Sequence, residues 1–176
     1  MQTTLLQTWL RLLEDAGFSV TFRPQNDQIP YDAITFGVLG GEGAGSAIVH
    51  INFLPMGSET RGTLFAQVVA QLPQTIAPDC EPALLEVANL VNQQILLGNF
   101  MSGPGGVVFW RHTFYMAGDI APEVNTRMVD QMMGLLLQTL HTMWEPLALA
   151  ATGLSTASEA LEMVRERRPA GAPAAS

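Results

Sequence analysis

Leu5, Leu6, Trp9, Leu12 and Leu13 recur at three- and four-residue spacings near the start of the chain, and the pattern stops at Gly17. That period marks an amphipathic helix, and a glycine just past the last apolar position supplies the left-handed residue that commonly ends one. From Phe18 the period shortens to two. The segments FSVTFR, DAITFGVL, SAIVHINFL and GTLFAQVVAQL are rich in β-branched and aromatic residues and are separated by breaks that carry Pro and Gly. Each break is short enough for a hairpin connection, so the four segments predict an antiparallel meander. In the fourth, Leu64, Ala66, Val68 and Ala70 point one way while Gln67 and Gln71 point the other, as in a sheet covered on one face.

A connector from Pro73 to Pro78 leads into a second helix, with Asp79 placed to cap it, Glu81 and Pro82 in its first turn, and helical spacing from Ala83 to Leu97. Its core face is Leu84, Ala88, Val91 and Ile95. The stretch GNFMSGPGGVVFWRHTFYMAG returns to strand character around a Gly-Pro-Gly-Gly turn and predicts a second hairpin. A long helix starts near Pro122 and runs to Trp144, with Pro146 marking its end or a kink. In STASEALEMVRER, Thr156 and Glu159 have capping-box spacing, and the closing RPAGAPAAS has no apolar periodicity. The expected fold is therefore α+β, an antiparallel sheet (four-strand meander plus a hairpin) with helices packed on it, in the order α-β-β-β-β-α-β-β-α-α. Residues 1–167 form its single domain and 168–176 a disordered tail.

Composition narrows the chemistry. Of 176 residues, 48% are hydrophobic, enough for a sizeable core, and the 16 acidic residues outnumber the 8 basic ones to give a net charge of −8. All the basic residues are Arg. Without Lys there is no Schiff base and no phosphate-loop lysine, and the negative charge opposes direct nucleic-acid binding. The single cysteine, Cys80, forbids an intramolecular disulfide. The first residues lack the basic and apolar regions of a secretory signal, and no apolar run reaches membrane-spanning length, so a cytoplasmic protein with no membrane partner is expected.

No arrangement of catalytic, cofactor-binding or metal-ligating residues emerges. His50, His112 and His141 stand on three separate elements, none with a second His or Cys at ligand spacing, so structural or surface histidines are expected. Cys80 lies between Asp79 and Glu81, which disfavour a thiolate. In LGGEGAGS, a dinucleotide pattern starting at Gly41 would need glycine where Ser46 stands, and a strand follows instead of a helix. It reads as a hairpin loop, as does SGPGGV. Asp27, Asp32, Glu42 and Glu59 are loop carboxylates with no His or Arg placed beside them, and Arg165, Arg167 and Arg168 alternate with Glu162 and Glu166 as at a solvated helix end.

The stretch LLEVANLVNQQILLGNFMSGPGGVVFWRHTFYMAG resembles the YbjN family, in which a helix bearing two spaced Asn runs into a Gly-x-Phe strand and an aromatic return strand. Asn89, Asn92, Gly98 and Phe100 hold those positions. The segment WEPLALAATGLSTASEALEMV is similar to that family's last part, through Pro146, Gly153, Ser155, Glu159, Ala160 and Leu161. The likeness runs from residue 83 to 164. The resemblance implies a fold like that of the dimeric type III secretion chaperones and a homodimeric, protein-binding, non-catalytic role without cofactors. The Gly-rich loops and the Met-rich helix depart from the pattern.

Two apolar surfaces exceed what a helix lying on one sheet needs to bury. In the long helix, Arg127, Asp130, Gln131, Gly134, Gln138, His141 and Glu145 form one narrow polar stripe. Much of the rest is apolar, wider than the ~100° stripe that faces a core. Met128, Met132, Met133, Leu136, Leu137, Met143 and Trp144 are the candidate partner surface, because methionine adapts to varied surfaces. On the preceding helix, Leu90 and Leu97 are seven residues apart beside Glu86 and Gln93 and are the candidate dimer interface. The function expected is a chaperone-like or regulatory adaptor acting as a homodimer on one or a few client proteins, its acidity favouring a basic, nucleic-acid-binding client. A small-ligand sensor with an apolar pocket between sheet and helices is the alternative.

Overall fold

The structure is a computed structural model that describes residues 2–27, 30–39, 45–55, 63–117 and 121–167. Helix α1 (Gln2–Asp15) precedes strands β1 (Val20–Arg23), β2 (Ala33–Leu39), β3 (Ser46–Phe53) and β4 (Thr63–Thr75). Helix α2 (Glu81–Asn92), strands β5 (Asn99–Gly103) and β6 (Val107–Ala117), and helices α3 (Pro122–Thr152) and α4 (Ala157–Glu166) follow. The strands form one sheet in the order β1-β2-β3-β4-β6-β5 with every neighbouring pair antiparallel. This is the α+β arrangement expected from the sequence. The hairpin joins the meander through β6, whose residues Phe109 to Ala117 pair with Gln71 to Thr63.

Period-two alternation decides which face carries the helices. Ile34 and Phe36 of β2, Val49 and Ile51 of β3, Val68 of β4 and Trp110 of β6 are all buried on one face. Trp9 of α1 reaches that face, its ring 5.2 Å from Phe53 and 6.4 Å from Phe114. Helix α3 packs against α1, α2 and β4, and α4 packs on α2 and α3. The opposite face carries no helix among the described residues.

Several ends differ from the sequence expectation. Helix α1 ends as expected in a glycine cap: Gly17 has φ +91°, the Phe18 N–H donates to Leu13 O at 2.9 Å and the Gly17 N–H to Glu14 O at 2.9 Å. Helix α2 does not start from an Asp79 cap, because Asp79 lies outside it with φ +63° and Cys80 is the N-cap, its side chain forming no capping bond. Helix α2 also stops at Asn92, short of Leu97. Helix α3 continues through Pro146 to Thr152, where Gly153 at φ +72° ends it with Leu154 N–H donating to Leu149 O at 3.0 Å. A proline removes only its own N–H and crowds one carbonyl, and here buried neighbours such as Trp144, Leu147 and Ala150 hold the helix across it. The capping box of α4 is present, with the Thr156 N–H donating to Glu159 Oε2 at 2.8 Å and the Glu159 N–H to Thr156 Oγ1 at 3.3 Å. The expected loop carboxylates Glu42 and Glu59, Arg168 and the tail 168–176 lie outside the described residues.

The junction between α2 and β5 explains three of the residues singled out by sequence. The Asn92 amide donates to Phe100 O at 3.0 Å and accepts from the Phe100 N–H at 2.7 Å, standing in for a neighbouring strand. Gly98 adopts φ +70° and lies on the indole of Trp110, where an added Cβ would stand 2.3 Å from ring carbon Cε2. Trp110 Nε1 donates to the carbonyl of Leu97 at 3.1 Å, and Phe100 is buried. Replacing Asn92 by Ala removes both bonds to Phe100 and is expected to cost about 2 kcal/mol, read as a lowered urea midpoint at unchanged m-value. An unchanged midpoint overturns the assigned role.

Candidate functional site

The long helix and the aromatic strand meet imperfectly. Between α3, β6 and the turn after α2 a cleft of about 250 Å³ remains, lined by Leu97, His112, Phe114, Met128, Gln131, Met132 and Leu135. Strand alternation sends His112 and Phe114 to the helix side, and their rings stack at 6.3 Å with 12° between planes. His112 also stands 6.0 Å from the ring of Trp110. Helical spacing sends Met128, Met132 and Leu135 to meet them across the cleft. The lining is largely apolar, with His112 and Gln131 as its polar groups. Leu96, 80% exposed, and Val124, 48% exposed, are further apolar side chains in the two segments that border it.

The residues picked from sequence divide sharply. Met128 is exposed and, with Met132 and Leu97, lines the cleft, so the structure joins members of the two sets that the sequence kept apart. Met133, Leu136, Met143 and Trp144 are buried, as is most of Met132, and Leu137 packs partly buried against the same core. Met133, Leu136, Met143 and Trp144 belong to the chain's own interior and present no partner surface. The physical reason is that α3 is covered on more than one side, by the sheet, α2 and α4. Trp144 even spends its indole N–H internally, donating to Gln74 Oε1 at 3.0 Å. Leu90 and Leu97 are half-buried against the core, and the early end of α2 leaves Leu97 outside the helix that was to align them. Exposed apolar groups of that region are Leu85 and Leu96 instead.

His112, Phe114, Gln131 and Leu135 were not expected at a site. Alternation on β6 was legible and placed His112 and Phe114 on one side, but nothing local shows that α3 stands off from that part of the sheet. The helix-free face has its own character. Thr35, His50, Val69 and Arg111 lie side by side across β2, β3, β4 and β6, with Thr35 Oγ1 2.9 Å from His50 Nδ1. Asp32 belongs to the helix side, accepting from Thr3 Oγ1 at 2.8 Å and from the Gln25 N–H at 2.9 Å. His141 is exposed on α3. Among the described residues no group of three His, Cys, Asp or Glu side chains could hold a metal ion, and no helix is long and apolar enough to cross a membrane.

No protein-family model matches the sequence, and no curated protein matches it. The structure is similar to the crystal structure of YbjN from E. coli, with a TM-score of 0.42 and 14% sequence identity over 77% of this chain and 87% of that one.

Burial holds the His112 imidazole below its ordinary pKa, and burial followed by the nearby Arg23 charge does the same to His50. Both rings are therefore harder to protonate in the folded chain than in the unfolded one. Stability is at its full value above the unfolded histidine pKa of about 6.5 and falls as pH drops through that value toward the lower folded pKa values. Denaturation midpoints measured between about pH 7.5 and 5.5 are expected to decline, and the His50→Gln, His112→Gln double variant to flatten that decline. An equal slope in the variant would remove both histidines from the account.

Proposed function

We propose that the chain is a non-catalytic protein-binding module, a chaperone-like or regulatory adaptor that works as a homodimer on one or a few client proteins. The observation that carries this reading is the cleft around Met128 and Met132, an apolar depression left open beside exposed Leu96 and Val124. Apolar surface of this kind, rimmed by polar groups, marks an interaction site. Its size favours a protein partner. Small-molecule sites usually measure about 300–1,000 Å³, so 250 Å³ suits one or two bulky side chains of a docked segment. Methionine lines the opening, and its flexible thioether lets one cleft accept side chains of different shape. The net charge of −8 favours a client with a basic surface.

The cleft also gives the ligand-sensor reading a concrete location, since His112 and Gln131 could orient a small aromatic compound. Thermal-shift screening separates the two, because a ligand that binds only the folded state raises its melting temperature.

Two outcomes are expected of this proposal. Affinity capture from the source organism's lysate retains a dominant stoichiometric protein with the native chain and loses it with Met128→Glu, an exposed substitution that leaves melting unchanged. Identical capture by both chains sinks the cleft as the docking site. In sedimentation equilibrium the native chain has twice the monomer mass, and Leu96→Glu or Leu90→Glu with Leu97→Glu shifts it toward monomer. A native monomer overturns the dimer.

A further inference from the structure

The distribution of charge over the two faces of the sheet is more uneven than the net charge suggests. None of the six strands contains Asp or Glu, whereas all four helices do. The strands do contain two arginines, Arg23 on β1 and Arg111 on β6. Both belong to the helix-free face: Arg23 follows the inward-facing Phe22, and Arg111 stands opposite Val69, between the inward-facing Trp110 and His112. Both are exposed, and neither forms an ion pair among the described residues. Among the described residues, two carboxylates bonded near the sheet lie on its other side, where Asp32 binds Thr3 and Glu81 accepts from Ser102 Oγ at 2.7 Å. A protein of net charge −8 therefore has one face on which the charged strand side chains are cationic.

We propose that this face docks an acidic polypeptide segment of a partner protein. Four strand spacings separate β1 from β6, and Arg23 and Arg111 are displaced by two residues along the strands. Their backbones are therefore about 20 Å apart. An extended segment covers that distance in about six residues, so carboxylates roughly six residues apart meet both guanidinium groups, each able to grip a carboxylate in two hydrogen bonds. Between them half-buried Val69 offers apolar contact and His50 and Gln67 offer hydrogen bonds, while Ile48, 46% exposed, and half-buried Phe109 extend the apolar contact one row beyond Arg111.

Other occupants fit less well. A second copy meeting this face through a two-fold axis brings arginines to a strand surface that has no carboxylate to receive them. A second copy meeting it with its acidic helices makes a head-to-tail contact, which leads to open assemblies instead of a closed dimer. A nucleic acid is anionic too, but its many phosphates feel the repulsion of the whole chain, and two arginines release few counterions.

The inference rests on the protein-binding reading but not on the cleft, and the test keeps them apart. A random display library of peptides about twelve residues long is selected on the immobilised full chain, and the enriched peptides are titrated by fluorescence anisotropy at low and high salt. The expected winners carry spaced Asp or Glu, weaken with salt, lose at least tenfold in affinity for the Arg23→Gln, Arg111→Gln variant, and keep most of it for Arg23→Lys, Arg111→Lys. Winners that are neutral or basic, or no enrichment at all, overturn the proposal. Acidic winners that bind the glutamine variant equally well overturn this face as the site while leaving protein binding intact. A single-stranded oligothymidylate that binds more tightly than the winners assigns the face to nucleic acid and overturns it as well.

Discussion

The fold depends on the long antiparallel pairing of β4 with β6. It fuses the N-terminal meander to the C-terminal hairpin, and it makes β5 run parallel to β4 with β6 between them. The chain must therefore leave β4, cross over β6 and descend on its far side, and α2 is that crossing. A parallel crossover of this kind has one strongly preferred hand, so the pairing fixes the face on which α2 lies. Helices α3 and α4 then build on α2, and among the described residues the other face of the sheet carries no helix.

The same constraint produces the cleft. Helix α3 is long, and its buried residues from Met132 onward are shared among the sheet, α2 and α4. Toward its N-terminus Val129 and Asn125 are still buried, but Met128 on another side of the helix is exposed and lines the cleft with His112 and Phe114. A residue such as Met133 and a residue such as Met128 have the same chemistry and differ only in what reaches them.

That distinction sets the limit of what the sequence discloses. Local pattern suffices for the elements: the period of α1, the alternation of β4, the Thr156–Glu159 box and the Gly17 cap are all properties of a few neighbouring residues. The ends of α2 and α3 are less legible because tertiary packing overrules local preference, carrying a helix across Pro146 and stopping another at Asn92. The surfaces were the least legible. Apolar excess on α3 was real, but a stripe wider than one contact does not say whether the second contact is another helix of the same chain or another molecule. For Trp144 and Leu136 it is the same chain. The absence of Asp and Glu from every strand, in contrast, was open to reading once the strands were assigned, and it is the feature that separates the two faces electrically.

The amide of Asn92 has a role beyond joining α2 to β5. Its two bonds take the N–H and carbonyl of Phe100 on the side of β5 that faces away from β6, the groups with which an incoming strand would begin to pair. A side chain thus closes that end of the sheet to growth, and it does so without a further strand. At the other end β1 is only four residues long and finishes in a charged Arg23, a poor template for a second chain. A sheet with so much uncovered surface can therefore remain finite, and molecules that come to it are directed onto its face instead of its rim.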